Sequence, residues 1–497
     1  MGLEPVVPPA QSRGRRPGRP DLASSPCGWG RIPEVKAAGP EVKAREAEFG
    51  LLTLRLGVVR ARGSGGAGAR EGSGGVGGFG MDVSDHAVEL ATTGKFNELH
   101  DLCGSQLKMM VTPSQLRDGW DQIVSMYGAY EGIESRGEQK AQGQTFTVHR
   151  LKFETGTLNF MSQEDGGQLA TLLLQPGAPP PPVDPPAYAD PSTFAETEVR
   201  VDCHGFPLPA LLTVPKKASG VPAVVMVAGS GPNDRDETIG KLKPFRDLAQ
   251  GLAALGIASI RYDKRTKSAP GMFNVKSGTV NEEVVEDAVS ALKVLKSKTG
   301  GRLGKKPTVD PSKIFLLGHS LGAMVAPRIL DAAPELAGMV LLGGPARRLE
   351  DAIIEQSTHL AGPKPPKAVK DQLKAIQVQV DRVKAADLTA ETPASDLPLG
   401  INASYWLDLR DYDPVEATAN AGKPTLVLHG AVDYQATPEE HEQFRRALAG
   451  RRDCESKLYP GLSHIFMPGE GTAADYTREA NVAEHVVADI ARWLASR

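Results

Sequence analysis

The residues with the clearest potential for chemistry are Gly-His-Ser-Leu-Gly at positions 318–322, a Gly-x-Ser-x-Gly pattern. An apolar run (314–317) comes before it and a helix-like run (324–333) follows. This order of strand, tight turn and helix is typical of a nucleophile elbow, where glycines on both sides of the serine let the backbone and the helix come close. A helix N-terminus next to Ser320 would also favour a developing negative charge. We therefore predict that Ser320 is a nucleophile and not merely part of an ordinary turn.

A serine hydroxyl is a weak nucleophile at neutral pH, so other parts of the chain must activate it. It needs a base within hydrogen-bond reach, and the base needs an acidic group that holds its tautomer. The elements that could position such groups alternate along the second half of the chain. Strand-like runs lie at 195–202, 209–214, 223–228, 258–262, 314–317, 339–342, 425–428 and 456–458. Helix-like runs lie at 245–255, 282–298, 321–333, 438–449 and 478–495.

Several of these strands are continuous apolar runs, as expected for a mostly parallel sheet that helices cover on both faces. Eight strands with interleaved helices and an elbow after the fifth strand resemble the α/β-hydrolase fold, over about residues 193–497. A charged, helix-prone segment (347–421) interrupts the pattern between the sixth and seventh strands. Insertions at this point form the cap over the active site in that family, so the resemblance implies a helical lid.

In α/β-hydrolases the acid and the base follow the serine in that order. The seventh strand ends in Leu-His-Gly-Ala-Val-Asp, and its Gly-x-x-Asp resembles the acid-bearing turn of the family, with Asp433 as the acid. Asp413 is the rival acid, but it lies in the predicted lid. After the eighth strand, Gly-Leu-Ser-His at 461–464 matches the loop that carries the base, so the resemblance implies His464. The remaining nearby histidines are interpreted as structural: His319, His429, His441 and His485.

An oxyanion hole requires two backbone N–H donors, and Leu321 supplies one by its position after the nucleophile. The second is expected from the loop after the third strand (228–236), with Ser230 favoured over Gly229. Ala228 stands where the family often has histidine. This loop and the loop at 261–266 resemble bacterial carboxylesterases of the EstD type. We expect their charges to tie the two loops together, in preference to direct substrate binding by Arg235 or Lys264.

The N-terminal part of the chain has a different character. Residues 1–80 are rich in Gly, Pro and Arg, with 10 glycines between positions 63 and 80, and are predicted to be disordered. Residues 81–175 show two helical patterns and four strand-like runs (132–139, 145–153, 156–162 and 167–175), an order that resembles a small NTF2-like α+β domain. Thr112 is predicted to cap the second helix, with Pro113 at its first position. A proline-rich linker (176–192) follows.

Composition limits the possible partners. The 497 residues have a formal net charge of -3; residues 1–80 carry 12 Lys+Arg against 7 Asp+Glu, and the remainder 45 against 53. A mildly acidic folded part argues against a nucleic-acid partner. The four cysteines are scattered without a C-x-x-C motif, which suggests neither a disulfide framework nor a zinc site. No apolar run reaches the length of a membrane span, no signal peptide is evident, and a cytoplasmic location is the default expectation.

The sequence therefore predicts a serine carboxylester hydrolase that acts on a small-molecule ester through Ser320, Asp433 and His464, with no cofactor or metal ion. A serine peptidase or amidase would use the same triad and remains the alternative among enzymes. A ligand-sensing receptor with a hydrolase-like pocket is the alternative outside enzymes. The natural acyl and alcohol groups and the oligomeric state cannot be inferred from the residues.

Overall fold

The computed structural model describes residues 82–141, 144–154, 156–177, 182–299 and 308–497. The predicted N-terminal extension (1–80) lies outside the described residues. Within the described residues, no helix combines the length and the apolar character that a bilayer-spanning segment needs.

The first described region is a small α+β unit. Its four strands form an antiparallel meander in the order β1-β2-β3-β4. One buried apolar cluster joins the helices to the sheet, with Phe96, Leu99 and Leu151 among its members. The strands are β1 (Tyr130–Ala141), β2 (Gln144–Phe153), β3 (Gly156–Asp165) and β4 (Gln168–Pro176). The helices are α1 (Val83–Thr92), α2 (Phe96–Leu102), α3 (Ser105–Met110) and α4 (Pro113–Tyr127).

The helices of this unit differ in part from the sequence pattern. The first helical pattern is divided between α1 and α2, because Gly94 takes a φ of 75° directly after α1 and ends the helix. The short helix α3 was not predicted. The cap of α4 agrees with prediction: Gln115 N–H donates to Thr112 Oγ1 at 3.3 Å, and Thr112 N–H donates to Gln115 Oε1 at 2.9 Å. The NTF2-like resemblance remains a prediction.

The second region contains an eight-stranded sheet in the order β12-β11-β10-β9-β7-β8-β6-β5. Strands β7 to β12 run parallel to one another in it, whereas β6 is antiparallel to both β5 and β8. All eight strands were predicted. They are β5 (Phe194–Cys203), β6 (Phe206–Pro215), β7 (Val221–Val227), β8 (Ala258–Tyr262), β9 (Val309–His319), β10 (Met339–Leu342), β11 (Thr425–Gly430) and β12 (Cys454–Tyr459).

Helices cover both faces of this sheet. Successive residues of β7 alternate between two buried clusters, so that Val224 and Val225 face opposite helical layers. Helices α5 and α15 pack on one face, and α7, α9 and α14 pack on the other. The helices outside the insertion are α5 (Pro244–Ala254), α6 (Arg265–Ser268), α7 (Glu286–Thr299), α8 (Leu321–Met324), α9 (Ala326–Ala332), α14 (Pro438–Ala447) and α15 (Glu484–Ala495).

Three of the five predicted helices differ from the structure by more than two residues at an end or by a break. The run at 321–333 forms two helices, because Pro327 has no N–H and lies in the first turn of α9. The run at 282–298 begins with a π-helical turn, Asn281–Val285, before α7. The last helix was predicted to begin at Arg478, which is wrong: α15 begins at Glu484, and a short 3₁₀ turn at Ala473–Tyr476 lies before it.

The segment between β10 and β11 is helical, as its composition suggested. It has a small core of its own around Trp406, Val383 and Leu397. Its helices are α10 (Leu349–Ala361), α11 (Lys367–Lys384), α12 (Ala403–Leu409) and α13 (Pro414–Asn420). We call residues 347–421 the helical insert.

Candidate active site

Ser320 lies at the tip of the turn that joins β9 to α8. Its φ of 52° is unusual for a residue other than glycine, and its N–H donates to the carbonyl of Leu342 at 2.9 Å. A Cβ on Gly318 would meet the carbonyl of Gly322, and a Cβ on Gly322 would meet the carbonyl of Val227. Both clashes would be with backbone, which cannot rotate away, so this turn requires glycine at both positions.

The parallel strands carry the predicted acid and base to the same end of the sheet. Leu342 of β10 is in register with His319 of β9 and with Leu428 of β11, so the three strands end side by side. Asp433 follows β11, and His464 follows β12. His464 Nδ1 lies 2.7 Å from Asp433 Oδ2, and both residues are buried. The His464 ring packs on His319, the neighbour of Ser320, with 4.6 Å between the ring centroids.

The surroundings of Asp433 keep it ionised. Its Oδ1 accepts hydrogen bonds from the N–H groups of Gln435 at 2.7 Å and Ala436 at 3.0 Å. Burial raises the pKa of Asp433, but the neighbouring His464 and the N–H of Ala436 outweigh burial and hold the pKa below its ordinary value. Asp433 can therefore fix the orientation of His464 with Nδ1–H toward the carboxylate and Nε2 free to accept a proton. Within the described residues Ser320 Oγ makes no hydrogen bond to His464; such bonds often tighten only when substrate binds.

The alternative acid, Asp413, caps a helix instead. It is the N-cap of α13, and its Oδ1 accepts from the N–H groups of Val415 and Glu416, both at 2.9 Å. A capping carboxylate of this kind stabilises the helix start. The structure does not bring Asp413 to His464.

The loop after β7 passes beside Ser320 and brings backbone N–H groups close to it. Gly229 N–H donates to Glu237 Oε1 at 2.6 Å, so it cannot serve a substrate. The N–H groups of Ser230 and Leu321 find no acceptor among the residues that the structure describes. These are the two donors expected from the sequence. Two unpaired N–H groups next to a serine, one of them at a helix start, are suited to hold a developing oxyanion.

Glu237 and His319 form a buried pair that sequence reasoning missed. His319 Nδ1 lies 2.9 Å from Glu237 Oε1, and His319 Nε2 lies 3.0 Å from the carbonyl of His464, to which it must donate. Burial lowers the pKa of His319, but the Glu237 carboxylate outweighs burial and the net shift is upward. The pair joins the loop of Gly229 to the loop of His464. Glu237 has an unusual φ of 51°, but no sequence pattern indicates this backbone conformation.

Gly343, at the end of β10, was also missed. Its φ is 53°, and a Cβ there would lie 3.0 Å from His464 Nδ1 and 3.4 Å from Asp433 Oδ2. The 3.0 Å approach is tighter than an ordinary contact. Gly343 therefore leaves room for the Asp433–His464 pair.

Charged residues join the two loops that resemble EstD-type enzymes. Arg235 N–H donates to Asp263 Oδ1 at 2.9 Å, and Lys264 Nζ donates to the carbonyl of Gly229 at 2.9 Å. Arg261, which is almost fully buried, binds Asp236 Oδ1 at 2.9 Å. The expected role of these charges in linking the loops thus agrees with the contacts.

A cavity of about 460 Å³ opens onto Ser320, Ser230 and Leu321. Its size lies in the range of small-molecule sites. Most of its wall is apolar, and the helical insert supplies much of it. The apolar lining includes Phe273, Val275, Leu349, Ala352, Ile353 and Ile401. Glu283, Asn402 and Tyr405 are polar groups in the same wall.

Among the residues that the structure describes, one group of side chains could ligate a metal ion, namely Cys203, His204 and Glu286. Arg265 already binds this group, because its guanidinium donates to Cys203 Sγ at 3.0 Å and to Glu286 Oε2 at 2.9 Å. Burial also raises the pKa of Cys203 to about 11, which disfavours the thiolate that a metal requires. The group is therefore a structural ion-pair cluster.

The sheet order and the serine turn after β9 define the chain as an α/β-hydrolase. The family described as "Serine aminopeptidase, S33" matches residues 238–470. Esterase EstD of Thermotoga maritima is 32% identical over 415 residues, which cover 82% of this chain and 93% of that protein. The chain belongs to the α/β-hydrolase esterase family of EstD.

Two solved esterases also align with the chain. Est1E from Butyrivibrio proteoclasticus is 15% identical, with a TM-score of 0.38, and covers 60% of this chain and 99% of its own. An esterase of Pyrobaculum calidifontis is 18% identical, with a TM-score of 0.39, and covers 61% of this chain and 85% of its own.

Replacement of Gly343 by alanine tests the fit around the acid–base pair. The new methyl group must push the His464 ring aside by a few tenths of an ångström, and a misplacement of about 1 Å would cost about 10²-fold in turnover. We therefore expect kcat/KM of Gly343→Ala for a model ester to fall, by less than about that factor. Gly450→Ala is the control, since Gly450 has a φ of 84° and no atom near its Cβ position. It should lose stability but keep kcat/KM. Full activity in Gly343→Ala would contradict the close fit.

A second prediction concerns acid stability. His429 is fully buried, its Nε2–H donates to the carbonyl of Gly344 at 3.0 Å, and burial lowers its pKa to about 4. In the unfolded chain His429 takes up a proton near its ordinary pKa of ~6.5. In the native state it does so only as the pH falls to about 4. The stabilising contribution is therefore complete above pH 6.5 and is lost as the pH falls toward 4, by up to about 3 kcal/mol.

Urea unfolding at a series of pH values between 7 and 4.5 measures this effect. We expect the free energy of unfolding to fall more steeply with acid in the wild type than in His429→Gln, which keeps a donor for Gly344 but cannot titrate. Equal slopes for the two proteins would show that His429 is not a source of the acid sensitivity.

Proposed function

We propose that this protein is a carboxylester hydrolase that forms an acyl-enzyme on Ser320. The observation that carries the proposal is the buried Asp433–His464 pair, at 2.7 Å, beside a strained serine turn with two unpaired N–H groups. Each group required for acyl transfer is thus present at one end of the sheet. Membership of the EstD family supports an ester as the substrate.

In the proposed reaction, Ser320 Oγ attacks the acyl carbon of the ester, and its proton passes to His464 Nε2. The N–H groups of Ser230 and Leu321 hold the oxyanion of the tetrahedral intermediate. His464 then gives the proton to the alkoxy oxygen, and the alcohol leaves. Water attacks the acyl-enzyme, again losing a proton to His464, and the carboxylic acid departs as Ser320 regains its proton. Asp433 remains a carboxylate throughout and stabilises the charged imidazole.

The apolar cavity supports an apolar acyl or alcohol group of moderate size. In this proposal the helical insert acts as the lid that the sequence suggested, since Leu349, Ala352 and Ile353 of α10 and Ile401 contribute to the wall. Burial of each methylene of a substrate chain against such a wall is worth about 0.8 kcal/mol.

A peptidase is the second candidate, because the matching family is described as a serine aminopeptidase. An aminopeptidase must bind the free ammonium group of its substrate, and Glu283 is the acidic side chain in the cavity lining. Both of its oxygens are already engaged, however: Lys264 Nζ lies 2.5 Å from Oε1, and the Tyr405 hydroxyl donates to Oε2 at 2.7 Å. This engagement favours the ester over the peptide. Parallel assays with a p-nitrophenyl ester and an aminoacyl p-nitroanilide compare the two activities.

The nucleophile and the acid can be tested together. Ser320→Ala should abolish labelling by a fluorophosphonate and lower kcat by a factor on the order of 10⁴–10⁶. Asp433→Asn should lower kcat on the order of 10⁴, because the amide no longer fixes the tautomer of His464. Asp413→Asn is the matched control and should retain activity, since asparagine also caps a helix. Labelling of another serine in Ser320→Ala, or loss of activity in Asp413→Asn alone, would refute the assignment.

The cavity predicts a chain-length effect. Ala352 is buried in its wall, so a phenylalanine there should fill part of the space that a substrate chain occupies. For Ala352→Phe we expect kcat/KM for p-nitrophenyl octanoate to fall about tenfold or more, with the acetate changed less than about threefold. Ala361→Phe, on the same helix but outside the lining, should affect neither ester. An equal loss for both esters would mean that the chain binds elsewhere.

A further inference from the structure

The carbonyl of Gly229 is held from two sides in the loop after β7. Lys264 Nζ donates to it at 2.9 Å, and Asn233 Nδ2 donates to it at 3.1 Å. This carbonyl and the N–H of Ser230 belong to one planar trans peptide and point in opposite directions. Contacts that fix the Gly229 carbonyl therefore also fix the direction of the Ser230 N–H, which is one of the two proposed oxyanion donors.

Lys264 is itself fixed by a buried ion pair. It is 3% exposed, and its Nζ lies 2.5 Å from Glu283 Oε1, which is 7% exposed as a residue. A buried charge that loses its partner is strongly destabilising, so each member of the pair holds the other in place. Glu283 lies in the π-helical turn Asn281–Val285, a local geometry that is frequent at functional sites.

The third member comes from the helical insert. The hydroxyl of Tyr405, in α12, donates to Glu283 Oε2 at 2.7 Å. Burial and the Glu283 carboxylate both raise the pKa of Tyr405, so the phenol keeps its proton and acts as a donor. Asn402, the N-cap of α12, adds a second anchor by donating from Nδ2 to the carbonyl of Gly278 at 2.9 Å. Three consecutive hydrogen bonds thus lead from α12 to the Gly229–Ser230 peptide.

We infer that Tyr405, Glu283 and Lys264 are positioning residues that fix the direction of the Ser230 N–H in the oxyanion hole. The position of α12 then determines whether the oxyanion hole is formed. This inference rests on the proposed function.

The peptide before Gly229 has a separate anchor, because the Gly229 N–H is bound by Glu237. Only the peptide between Gly229 and Ser230 depends on Lys264. Glycine at position 229 imposes little steric barrier to rotation of this peptide. Loss of the Tyr405 contact would free one oxygen of Glu283 and loosen Lys264, which leaves Asn233 Nδ2 as the remaining side-chain donor to the Gly229 carbonyl. With one of its two donors weakened, this carbonyl can turn toward the substrate in part of the molecules. A carbonyl in that place would repel the oxyanion that the N–H should bind.

The test compares two tyrosines of the insert that each make one hydrogen bond to the rest of the fold. Tyr405→Phe removes the donor to Glu283. Tyr412→Phe is the matched control, because the Tyr412 hydroxyl donates to the carbonyl of Met324 at 2.8 Å and not to this chain of contacts. For both variants, kcat and KM are measured with p-nitrophenyl butyrate. Inhibition constants are measured for an alkyl trifluoromethyl ketone, which adds Ser320 and presents an oxyanion, and for the corresponding secondary alcohol, which cannot.

We expect Tyr405→Phe to lower kcat about tenfold, less than the roughly 10²–10³-fold loss seen when an oxyanion donor is removed outright. KM should stay within about twofold, because ground-state binding does not use the hole. The inhibition constant of the ketone should rise by the same factor as kcat falls, and that of the alcohol should not change. Tyr412→Phe should keep kcat and both inhibition constants while its melting temperature falls.

Glu283→Gln gives a second and larger effect, with kcat lowered about 10²-fold and the ketone weakened in parallel. If the three residues act as one chain, the double variant Tyr405→Phe/Glu283→Gln should be no worse than Glu283→Gln alone. Circular dichroism shows whether Glu283→Gln folds, and Tyr405→Phe keeps the test decisive if it does not.

Four outcomes would overturn the inference. A raised KM with unchanged kcat would make Glu283 or Tyr405 a substrate contact, and equal losses in the two tyrosine variants would reduce Tyr405 to packing. An unchanged ketone constant in Tyr405→Phe, with Ser320→Ala inactive, would reject this inference while leaving the proposed function intact. Ester hydrolysis that survives Ser320→Ala would reject both.

Discussion

The close approach of three backbone segments behind Ser320 is the constraint on which the site depends. Strand β9, helix α8 and the end of β7 meet where Gly318 and Gly322 leave no space for a Cβ. The serine at their junction takes a φ of 52°, a conformation that costs about 1–3 kcal/mol outside glycine. The fold can bear this cost because β9 lies at the centre of the sheet, hydrogen-bonded to β7 on one side and β10 on the other. Rigid strands thus hold a strained turn and aim its hydroxyl at the cavity.

Buried charge around this turn occurs in pairs, and each pair fixes one part of the site. Asp433 holds the ring of His464, Glu237 with His319 connects the loop of Gly229 to the carbonyl of His464, and Lys264 with Glu283 holds the carbonyl of Gly229. Where both members of a pair are charged, removal of one leaves an unpaired charge in a poorly solvated place, which is more costly than the pair itself is stabilising. The serine turn, the loop of His464 and the loop of Gly229 are therefore linked through these pairs and are not independent of one another.

The candidate site residues that could be predicted are those that lie in short, local sequence motifs. Ser320, Asp433 and His464 each lie in a glycine-containing turn after a predicted strand, and the resemblance of these turns to those of α/β-hydrolases made them the candidate triad. Glu283 and Tyr405 lie 122 residues apart, and Glu237 reaches His319 across 82 residues, so their roles depend on which loops meet in space. The role of Gly343 likewise depends on His464 in a distant loop. The start of the last helix was predicted wrongly for a local reason: the residues at 478–483 (Arg-Glu-Ala-Asn-Val-Ala) have a largely helix-forming composition but lie in a non-helical connection before α15. The NTF2-like resemblance and the disorder of residues 1–80 stay predictions.

The helical insert forms part of the cavity wall and also binds Glu283, the partner of Lys264. Tyr405 lines the cavity and also binds Glu283, while Ile401 and Asn402 beside it line the same wall. A substrate chain that packs on this wall contacts the segment that positions the Ser230 N–H. If α12 positions the Ser230 N–H, part of the binding energy of an apolar chain stabilises the conformation that holds the oxyanion. This part of the binding energy accelerates the chemical step and does not merely tighten substrate binding. A poorly filled cavity leaves that energy unused. Substrates would then differ in kcat as well as in KM, because the Tyr405–Glu283–Lys264 hydrogen bonds connect the cavity wall to the peptide that carries the Ser230 N–H.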